Sequence, residues 1–209
     1  MQKYEYGNKD ADIILLQAVD DHDLEVIDNE VHLIKELTGK DFRLIAFKVG
    51  SWNNDLSPWH APAVFGDEDF GAGADDTLEE ILSVCGGEVN TNKKIYIGGY
   101  SLAGLFALWA AHQTDVFEGV AAASPSVWFP GFTEYMRGHE CKAGTVYLSL
   151  GDKEEKARNP VMATVADRIR EAHEILMNAG VRTTLEWNQG NHFKDPDLRT
   201  AKAFSWVMD

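Results

Sequence analysis

Short apolar runs alternate with amphipathic helical patterns along the whole chain, and this alternation restricts its fold more than any other feature. The apolar run Ile13–Val19 precedes residues 23–37, where apolar side chains recur at helical spacing. Such alternation favours βαβ units, because two parallel strands need a crossover that a helix can supply. We therefore predict an α/β protein with a mostly parallel central sheet and helices on both faces.

The same patterns predict the individual elements. Six strands are predicted, with residues 4–8 as a seventh candidate, and they cover residues 13–19, 42–49, 95–97, 119–123, 146–150 and 181–187. Helices are predicted over residues 23–37, 76 or 77 to about 85, 102–112, 160–179 and 195–208. Residues 50–74 follow neither pattern and are predicted to form a long loop, which in a compact domain is usually functional.

Length and charge narrow the function classes. The 209 residues suit one domain, 1–209, with a minimal lid or none. The formal net charge of -15 argues against nucleic-acid or membrane partners, because such a field repels phosphate groups and anionic lipids. It also favours a neutral or cationic substrate. The nearest basic group is balanced in sequence by acidic neighbours: Lys153, Lys156 and Arg158 against Asp152, Glu154 and Glu155.

Other sequence features predict a cytoplasmic protein without a metal or cofactor. The first twelve residues lack a signal-peptide pattern, and the longest apolar run, 102–111, is too short to cross a bilayer. Cys85 and Cys141 are too few for a disulfide scaffold, and no histidine or cysteine spacing resembles a metal site. A homodimer is compatible with these features, although no exposed apolar stripe predicts one.

The segment most informative about chemistry runs from Lys94 to Leu108 and reads KIYIGGYSLAGLFAL. A short apolar strand leads through two glycines to Ser101, and an apolar helix follows. This strand–turn–helix context is that of a nucleophile elbow, in which a tight turn lifts the serine hydroxyl above the sheet. The free amides of the helix N-terminus face the same position, so the Leu102 N–H is the first candidate to bind an oxyanion.

The elbow departs from the common Gly-x-Ser-x-Gly pattern at its last position. Ala103 stands where glycine is usual, and Gly104 comes next. Alanine adds one methyl group at a crowded point, which Gly104 can relieve. The alternative interpretation is a glycine-rich turn with an incidental serine, but the strand and helix on either side favour the catalytic one.

These residues resemble the Putative esterase family of α/β-hydrolases, which includes esterase D-like enzymes, feruloyl esterases, siderophore esterases and mycolyltransferases. The resemblance is carried by three segments: the elbow GYSLAGLFAL from Gly99, ASPSVW from Ala123, and GNHF from Gly190. It implies an α/β-hydrolase fold and a catalytic serine, acid and histidine in that chain order.

His60 is the second choice as general base, because its loop should border the pocket, whereas the resemblance implies His192 as the base that activates Ser101. For the acid it leaves two candidates in the loop after residue 150. Glu154 matches the Gly-x-x-Asp position of the family and is preferred, whereas Asp152 lies closer to the end of the strand. Some siderophore esterases resemble dyads, so the need for an acid stays open at this point.

The remaining site residues are predicted from the loops that should border the serine. The loop after the 42–49 strand should supply a second oxyanion donor, for which the Trp52 N–H is the choice. Trp59, Tyr100 and Trp128 are predicted to line the substrate pocket. Together these features predict a serine esterase that acts on a small-molecule ester through an acyl-serine. The alternatives are an acyltransferase with the same acyl-enzyme, or a non-catalytic binding protein that kept the fold.

Overall fold

The computed structural model of the protein describes residues 1–86 and 93–209. Its seven strands are β1 (Gln2–Gly7), β2 (Ile13–Val19), β3 (Arg43–Lys48), β4 (Lys94–Tyr100), β5 (Gly119–Ala123), β6 (Thr145–Gly151) and β7 (Arg182–Asn188). The α-helices in the described part are α1 (Asp21–Thr38), α2 (Trp52–Asp55), α3 (Ala74–Cys85), α4 (Leu102–Gln113), α5 (Phe132–Gly138), α6 (Val165–Asn178) and α7 (Pro196–Val207).

The seven strands form one sheet in the order β1-β3-β2-β4-β5-β6-β7. β1 pairs antiparallel with β3, and every other neighbouring pair is parallel. The predicted α/β-hydrolase-like architecture is therefore confirmed, with the seventh candidate strand at the sheet edge. β2 and β4 to β6 are almost entirely buried, as expected for parallel strands covered by helices on both faces.

The boundaries of α1 follow from its capping residues. The Asp23 N–H donates to Asp20 Oδ1 at 2.9 Å, and the Asp20 N–H donates to Asp23 Oδ2 at 3.1 Å, which completes a capping box. Gly39 ends the helix with a φ of 65°, a left-handed conformation that favours glycine. The sequence prediction of residues 23–37 missed the first two residues and the last, since caps extend a helix beyond its amphipathic core.

Three local predictions require correction. The helix predicted from residue 160 begins at Val165, after a 3₁₀ turn over Met162–Thr164. The Asn159 side chain accepts hydrogen bonds from the Val161 and Met162 amides, which favours a turn there over regular helix. The loop over 50–74 contains α2, and α5 was not predicted, because helices of one or two turns give too few residues for periodicity to register.

Helix α4 is the central buried element. All its residues from Leu102 to His112 are buried, and it packs against β4 and β5. A helix that is apolar all round is stable only when it is enclosed on every side. Its first turn is thereby fixed directly beyond the carboxyl end of β4, where Ser101 lies. Within residues 1–86 and 93–209, no helix combines the length and the apolar character needed to span a bilayer.

One buried acid does not fit its surroundings. Glu30 in α1 is 4% exposed, and Gln17 donates to its Oε2 at 3.4 Å. Its other carboxylate oxygen has no hydrogen-bond partner among the described residues. Burial raises the pKa of Glu30 well above its ordinary value, and the nearby charges of Asp23 and Asp197 raise it further. The folded protein therefore binds a proton on Glu30 more readily than the unfolded chain does.

We predict that Glu30→Gln stabilises the protein at pH 8 by about 1–3 kcal/mol, because it removes a buried charge with too few donors. A carboxyl with a raised folded-state pKa loses stability as the pH rises through that pKa, so the gain shrinks as the pH approaches 4. Urea denaturation of both proteins at pH 4, 6 and 8 measures this. Glu25→Gln, at an exposed position of the same helix, is the control and should change little. An equal effect of both substitutions, or a gain independent of pH, would contradict the prediction.

Candidate active site

Ser101 occupies a strained turn between β4 and α4. Its backbone has a φ of 59° and a ψ of -121°, a region that residues with a side chain rarely adopt. Hydrogen bonds on both sides hold the turn: the Ser101 N–H donates to the Ala123 carbonyl at 3.1 Å, and the Ser126 N–H donates to the Ser101 carbonyl at 3.0 Å. Such strain persists only where the surroundings over-determine it, as in nucleophile elbows.

Small residues around the turn allow strand and helix to approach closely. A Cβ atom on Gly99 would lie 2.7 Å from the Ala103 Cβ, and one on Gly104 would lie 3.0 Å from the Gly99 carbonyl oxygen. The departure from the usual pattern is therefore accommodated, because Ala103 faces a residue that has no side chain. The two methyl groups could not coexist, so Gly99 is required by the presence of Ala103.

His192 bridges Ser101 and Glu154. Its Nε2 lies 3.0 Å from Ser101 Oγ, and its Nδ1 lies 2.7 Å from Glu154 Oε2. A carboxylate only accepts hydrogen bonds, so Nδ1 carries the proton and Nε2 is left to accept from the serine hydroxyl. The Tyr100 hydroxyl donates to the His192 carbonyl at 2.8 Å, which fixes the backbone that carries the imidazole.

Glu154 is the acid that reaches His192. Its side chain is 4% exposed, and its Oε1 accepts from the Gly151 amide at 2.7 Å and from the Ser124 hydroxyl at 2.8 Å. Burial alone would raise the pKa of Glu154. The hydrogen bond and charge of His192, together with the Gly151 and Ser124 donors, outweigh burial and lower that pKa below its ordinary value. Glu154 is therefore a carboxylate at neutral pH.

Asp152, the second acid candidate, has a different position. Its Oδ1 accepts from the Gly190 amide at 2.8 Å, and its side chain makes no contact with the imidazole among those recorded for the described residues. Asp152 thus ties the end of β6 to the loop that carries His192. His60, the second base candidate, is exposed, its Nε2 lies 4.0 Å from Asp69 Oδ2, and it does not line the cavity that contains Ser101.

Arg199 is a site residue that the sequence reasoning missed. It projects from α7, is 1% exposed, and donates from Nη1 to Glu154 Oε1 at 3.0 Å and to the Tyr100 hydroxyl at 3.0 Å. Its Nη2 donates to the carbonyls of Gln189 at 3.3 Å and Asn191 at 3.0 Å. One guanidinium therefore connects the acid, the elbow strand and the histidine loop. The signal available in the sequence is its helical spacing from the buried residues Ala203 and Val207.

Serines 124 and 126 were also missed as site residues, although their segment was noted. Ser124 has a φ of 42°, and its hydroxyl, besides donating to Glu154, accepts from Arg199 Nη1 at 3.2 Å. Ser126 Oγ lies 3.3 Å from Ser101 Oγ. Both follow β5, whose carboxyl end adjoins that of β4, so parallel pairing brings them to the nucleophile.

Both predicted oxyanion donors are the first residues of helices. Leu102 begins α4 and Trp52 begins α2, so neither amide has an acceptor within its own helix. α2 exists because the Ser51 hydroxyl accepts from the Asn54 amide at 3.3 Å, and because Asp55 Oδ2 accepts from the Ser51 amide at 2.9 Å. The carboxyl ends of β3 and β4 thus each lead into a helix N-terminus on the side of Ser101.

A cavity of about 700 Å³ opens over Ser101, Glu154 and His192. Trp52 and Trp128 lie in its wall, the latter as predicted. The other lining residues are Phe65, Ser124, Ser126, Lys153, Lys156, Ala157, Arg158, Met162, Val165, Asn191 and Phe193. Among residues 1–86 and 93–209, no group of three His, Cys, Asp or Glu side chains is arranged to hold a metal ion.

Two predicted pocket residues do not line this cavity. The Trp59 Nε1 donates to the Pro130 carbonyl at 2.9 Å, and its ring stacks on Phe132 at 6.4 Å between centroids. These contacts fix its loop, but they do not place the ring in the cavity wall. Tyr100 is buried beneath His192, with ring centroids 5.1 Å apart. It is the residue before the nucleophile, and strand alternation turns its side chain to the face opposite the cavity.

The sequence matches the model of the Putative esterase family over residues 13–195. The chain belongs to this family. No curated protein sequence matches it. Among solved structures, the siderophore hydrolase EstA from Aspergillus nidulans is similar at a TM-score of 0.68 and 17% identity, covering 97% of this chain and 84% of that one.

Two further structures share the fold. The IroE-like serine hydrolase from Shewanella oneidensis has a TM-score of 0.77 at 12% identity, covering 98% of this chain and 74% of its own. The capsule O-acetyltransferase of Neisseria meningitidis serogroup A has a TM-score of 0.60 at 10% identity, covering 99% and 91%. At these identities the likeness concerns the fold, and the family assignment depends on the family model.

We predict that Arg199→Met lowers the free energy of unfolding at pH 7 by about 3–5 kcal/mol, since it leaves the buried Glu154 carboxylate without its cationic partner. Glu154 has a lowered folded-state pKa, so the stability it contributes is present above the ordinary glutamate pKa and is lost as the pH falls. The difference between variant and wild type should therefore shrink towards pH 4. Urea denaturation at several pH values measures both.

Two further variants make this prediction specific. Arg199→Lys keeps the positive charge without the branched donor geometry and should recover part of the loss. Arg170→Met removes an arginine whose ion pair with Asp167 is exposed, and should cost at most about 1 kcal/mol. Equal losses for Arg170→Met and Arg199→Met would show that net charge, rather than the buried contact, determines the result.

Proposed function

We propose that the protein is a serine esterase that hydrolyses a small-molecule carboxylic ester through a covalent acyl-serine. The observation that carries this proposal is the unbroken row of hydrogen bonds from Ser101 Oγ through His192 to Glu154. A nucleophile, a base and an orienting acid at these distances form the arrangement that activates a serine hydroxyl. Membership of an esterase family supports the same reaction class.

In the first half of the reaction, Ser101 Oγ attacks the ester carbonyl carbon while His192 Nε2 takes the hydroxyl proton. The imidazolium that forms is stabilised by the Glu154 carboxylate at Nδ1. Negative charge develops on the former carbonyl oxygen, which the amides of Leu102 and Trp52 bind. When the tetrahedral intermediate collapses, the carbon–oxygen bond to the alcohol breaks, and His192 returns its proton to the departing oxygen.

In the second half, water replaces the alcohol. The water oxygen attacks the acyl-serine carbonyl carbon while His192 Nε2 takes a proton from the water. The same two amides bind the second oxyanion. Collapse then releases the carboxylic acid and returns the proton to Ser101. No organic cofactor or metal ion takes part in this scheme.

An acyltransferase is the second candidate, in which an alcohol rather than water accepts the acyl group. We retain the acyltransferase as a candidate because this chain shares its fold with a capsule O-acetyltransferase. The acyl-enzyme is common to both reactions, so product analysis separates them. Transfer to glycerol or a sugar in preference to water, at dilute acceptor, would favour the transferase.

We predict that a fluorophosphonate probe labels the wild-type protein and that 4-nitrophenyl acetate is turned over. Ser101→Ala should abolish labelling, and both Ser101→Ala and His192→Ala should lower kcat/KM by about 10³-fold or more, because they remove the nucleophile and its base. Intact-protein mass spectrometry measures the labelling and steady-state absorbance measures turnover.

The two acids provide a matched comparison. Glu154→Gln should lower kcat by about 10²–10⁴-fold, since an amide can hold the wrong imidazole tautomer. Asp152→Asn should cost far less, because Asp152 bonds a backbone amide rather than the imidazole. Circular dichroism checks that each variant is folded. A folded wild-type protein that is neither labelled nor active would contradict the esterase proposal and favour a non-catalytic binding protein.

A further inference from the structure

The charges around the cavity have the opposite sign to the net charge of the protein. The chain carries -15 overall, yet three cationic side chains lie in the cavity lining: Lys153, Lys156 and Arg158. Among the described residues that line the cavity, Glu154 is the only carboxylate, and it is paired with His192 and Arg199. Within residues 1–86 and 93–209, none of the three cations forms an ion pair.

The acids of this segment are placed differently from the cations, because of the three only Glu154 lies in the cavity lining. Glu154 points inward to the imidazole, and the Asp152 carboxylate accepts from the Gly190 amide. Glu155 is exposed and is not part of the cavity lining. Glu154 thus belongs to the catalytic row, whereas Lys156, which ends the same 3₁₀ turn, lies in the cavity lining with Lys153 and Arg158.

The backbone that carries the cations is anchored at both ends. The Lys153 amide donates to the Gly190 carbonyl at 3.1 Å, which ties the segment to the histidine loop. Next to Arg158, the Asn159 side-chain amide donates to the carbonyl of Val64, the residue before Phe65 in the facing loop. The cations therefore project from a fixed segment that spans one side of the cavity mouth.

The rest of the wall is largely apolar. Its aromatic and aliphatic members are Trp52, Phe65, Trp128, Met162, Val165 and Phe193. Apolar walls with a few charged groups on one side orient a ligand that has an apolar body and a charged end. A carboxylate or other anion at that end would meet three unpaired cations, and a cationic group would be repelled.

We propose that the physiological ester carries a negatively charged group, which is bound by Lys156 and Arg158 with support from Lys153. This inference depends on the proposed esterase function and replaces the expectation of a neutral or cationic substrate. That expectation came from the net charge, which describes the whole surface, whereas a bound ester is in direct contact with the charges that line its own site.

Two matched substrate pairs test the proposal. The 4-nitrophenyl monoester of adipic acid is compared with 4-nitrophenyl hexanoate, which has the same chain length and leaving group but no charge. The pair 4-acetoxybenzoate and its methyl ester puts the anion on the alcohol side. We expect the wild type to prefer the anionic member of at least one pair in kcat/KM. The preference should weaken in 0.5 M NaCl, because salt screens exposed charges.

The double variant Lys156→Gln/Arg158→Gln should lower kcat/KM for the preferred anionic ester by about tenfold, the order expected for losing two partly exposed charge contacts. Turnover of the neutral partner should stay within about twofold, since neither side chain belongs to the catalytic row. The control is Lys9→Gln/Lys94→Gln, which changes the net charge equally at the opposite end of the sheet, where β1 ends and β4 begins. It should leave both esters unaffected.

The outcomes that would contradict the anionic-substrate proposal differ from the one that would contradict the esterase proposal. Equal kcat/KM values for charged and neutral esters, or an equal fall in both double variants, would overturn the anionic-substrate proposal while leaving the esterase intact. Failure of the wild type to cleave even the neutral esters would instead be a failure of the proposed function. A preference that Lys156→Gln/Arg158→Gln does not reduce would assign anion binding to other residues and overturn the proposal.

Discussion

The carboxylate of Glu154, held between Arg199 and His192, determines how the other parts of the site are arranged. Two buried charges cost several kcal/mol to desolvate, and the cost is offset only when every lone pair finds a donor. Here Oε1 accepts from the Gly151 amide, the Ser124 hydroxyl and Arg199, which leaves Oε2 for the imidazole. The pairing fixes β6, α7 and the histidine loop relative to the elbow.

This arrangement explains why strain is tolerated at two serines. Ser101 and Ser124 both have positive φ values, and each follows a central strand. Backbone strain of this kind costs about 1–3 kcal/mol per residue, and it persists only when neighbouring contacts exclude relaxation. At Ser124, the side chain joins the Glu154–Arg199 pair. At Ser101, the Ala123 carbonyl of β5 accepts from the Ser101 amide, and the Ser126 amide of the following turn donates to the Ser101 carbonyl. Strain and ion pair are thus parts of one network.

Local patterns sufficed for the fold and for the prediction of Ser101 in an elbow, whereas His192 and Glu154 were predicted through the resemblance to the esterase family. The alternation of strands and helices predicts the parallel sheet, because each element's period is set by its own residues, and the glycines before Ser101 predict the elbow. The choice between Glu154 and Asp152 could not be made the same way, because a 3₁₀ turn rotates Glu154 inward and its residues carry no periodic signal. For Arg199, helical spacing indicates a place on the buried face of α7, but it does not indicate the partners, which lie up to 99 residues away.

The tryptophans and the charges illustrate one further limit, which is that composition does not say which way a side chain faces. Trp52 and Trp59 lie in the same loop, yet Trp52 lines the cavity whereas Trp59 donates to the Pro130 carbonyl and packs against Phe132. Likewise, acids and bases are interspersed over residues 152–158, three of each, yet the catalytic row takes the Glu154 carboxylate while the three cations line the cavity. A segment that is neutral in sequence therefore presents a positive face to the cavity, and substrate recognition responds to that face.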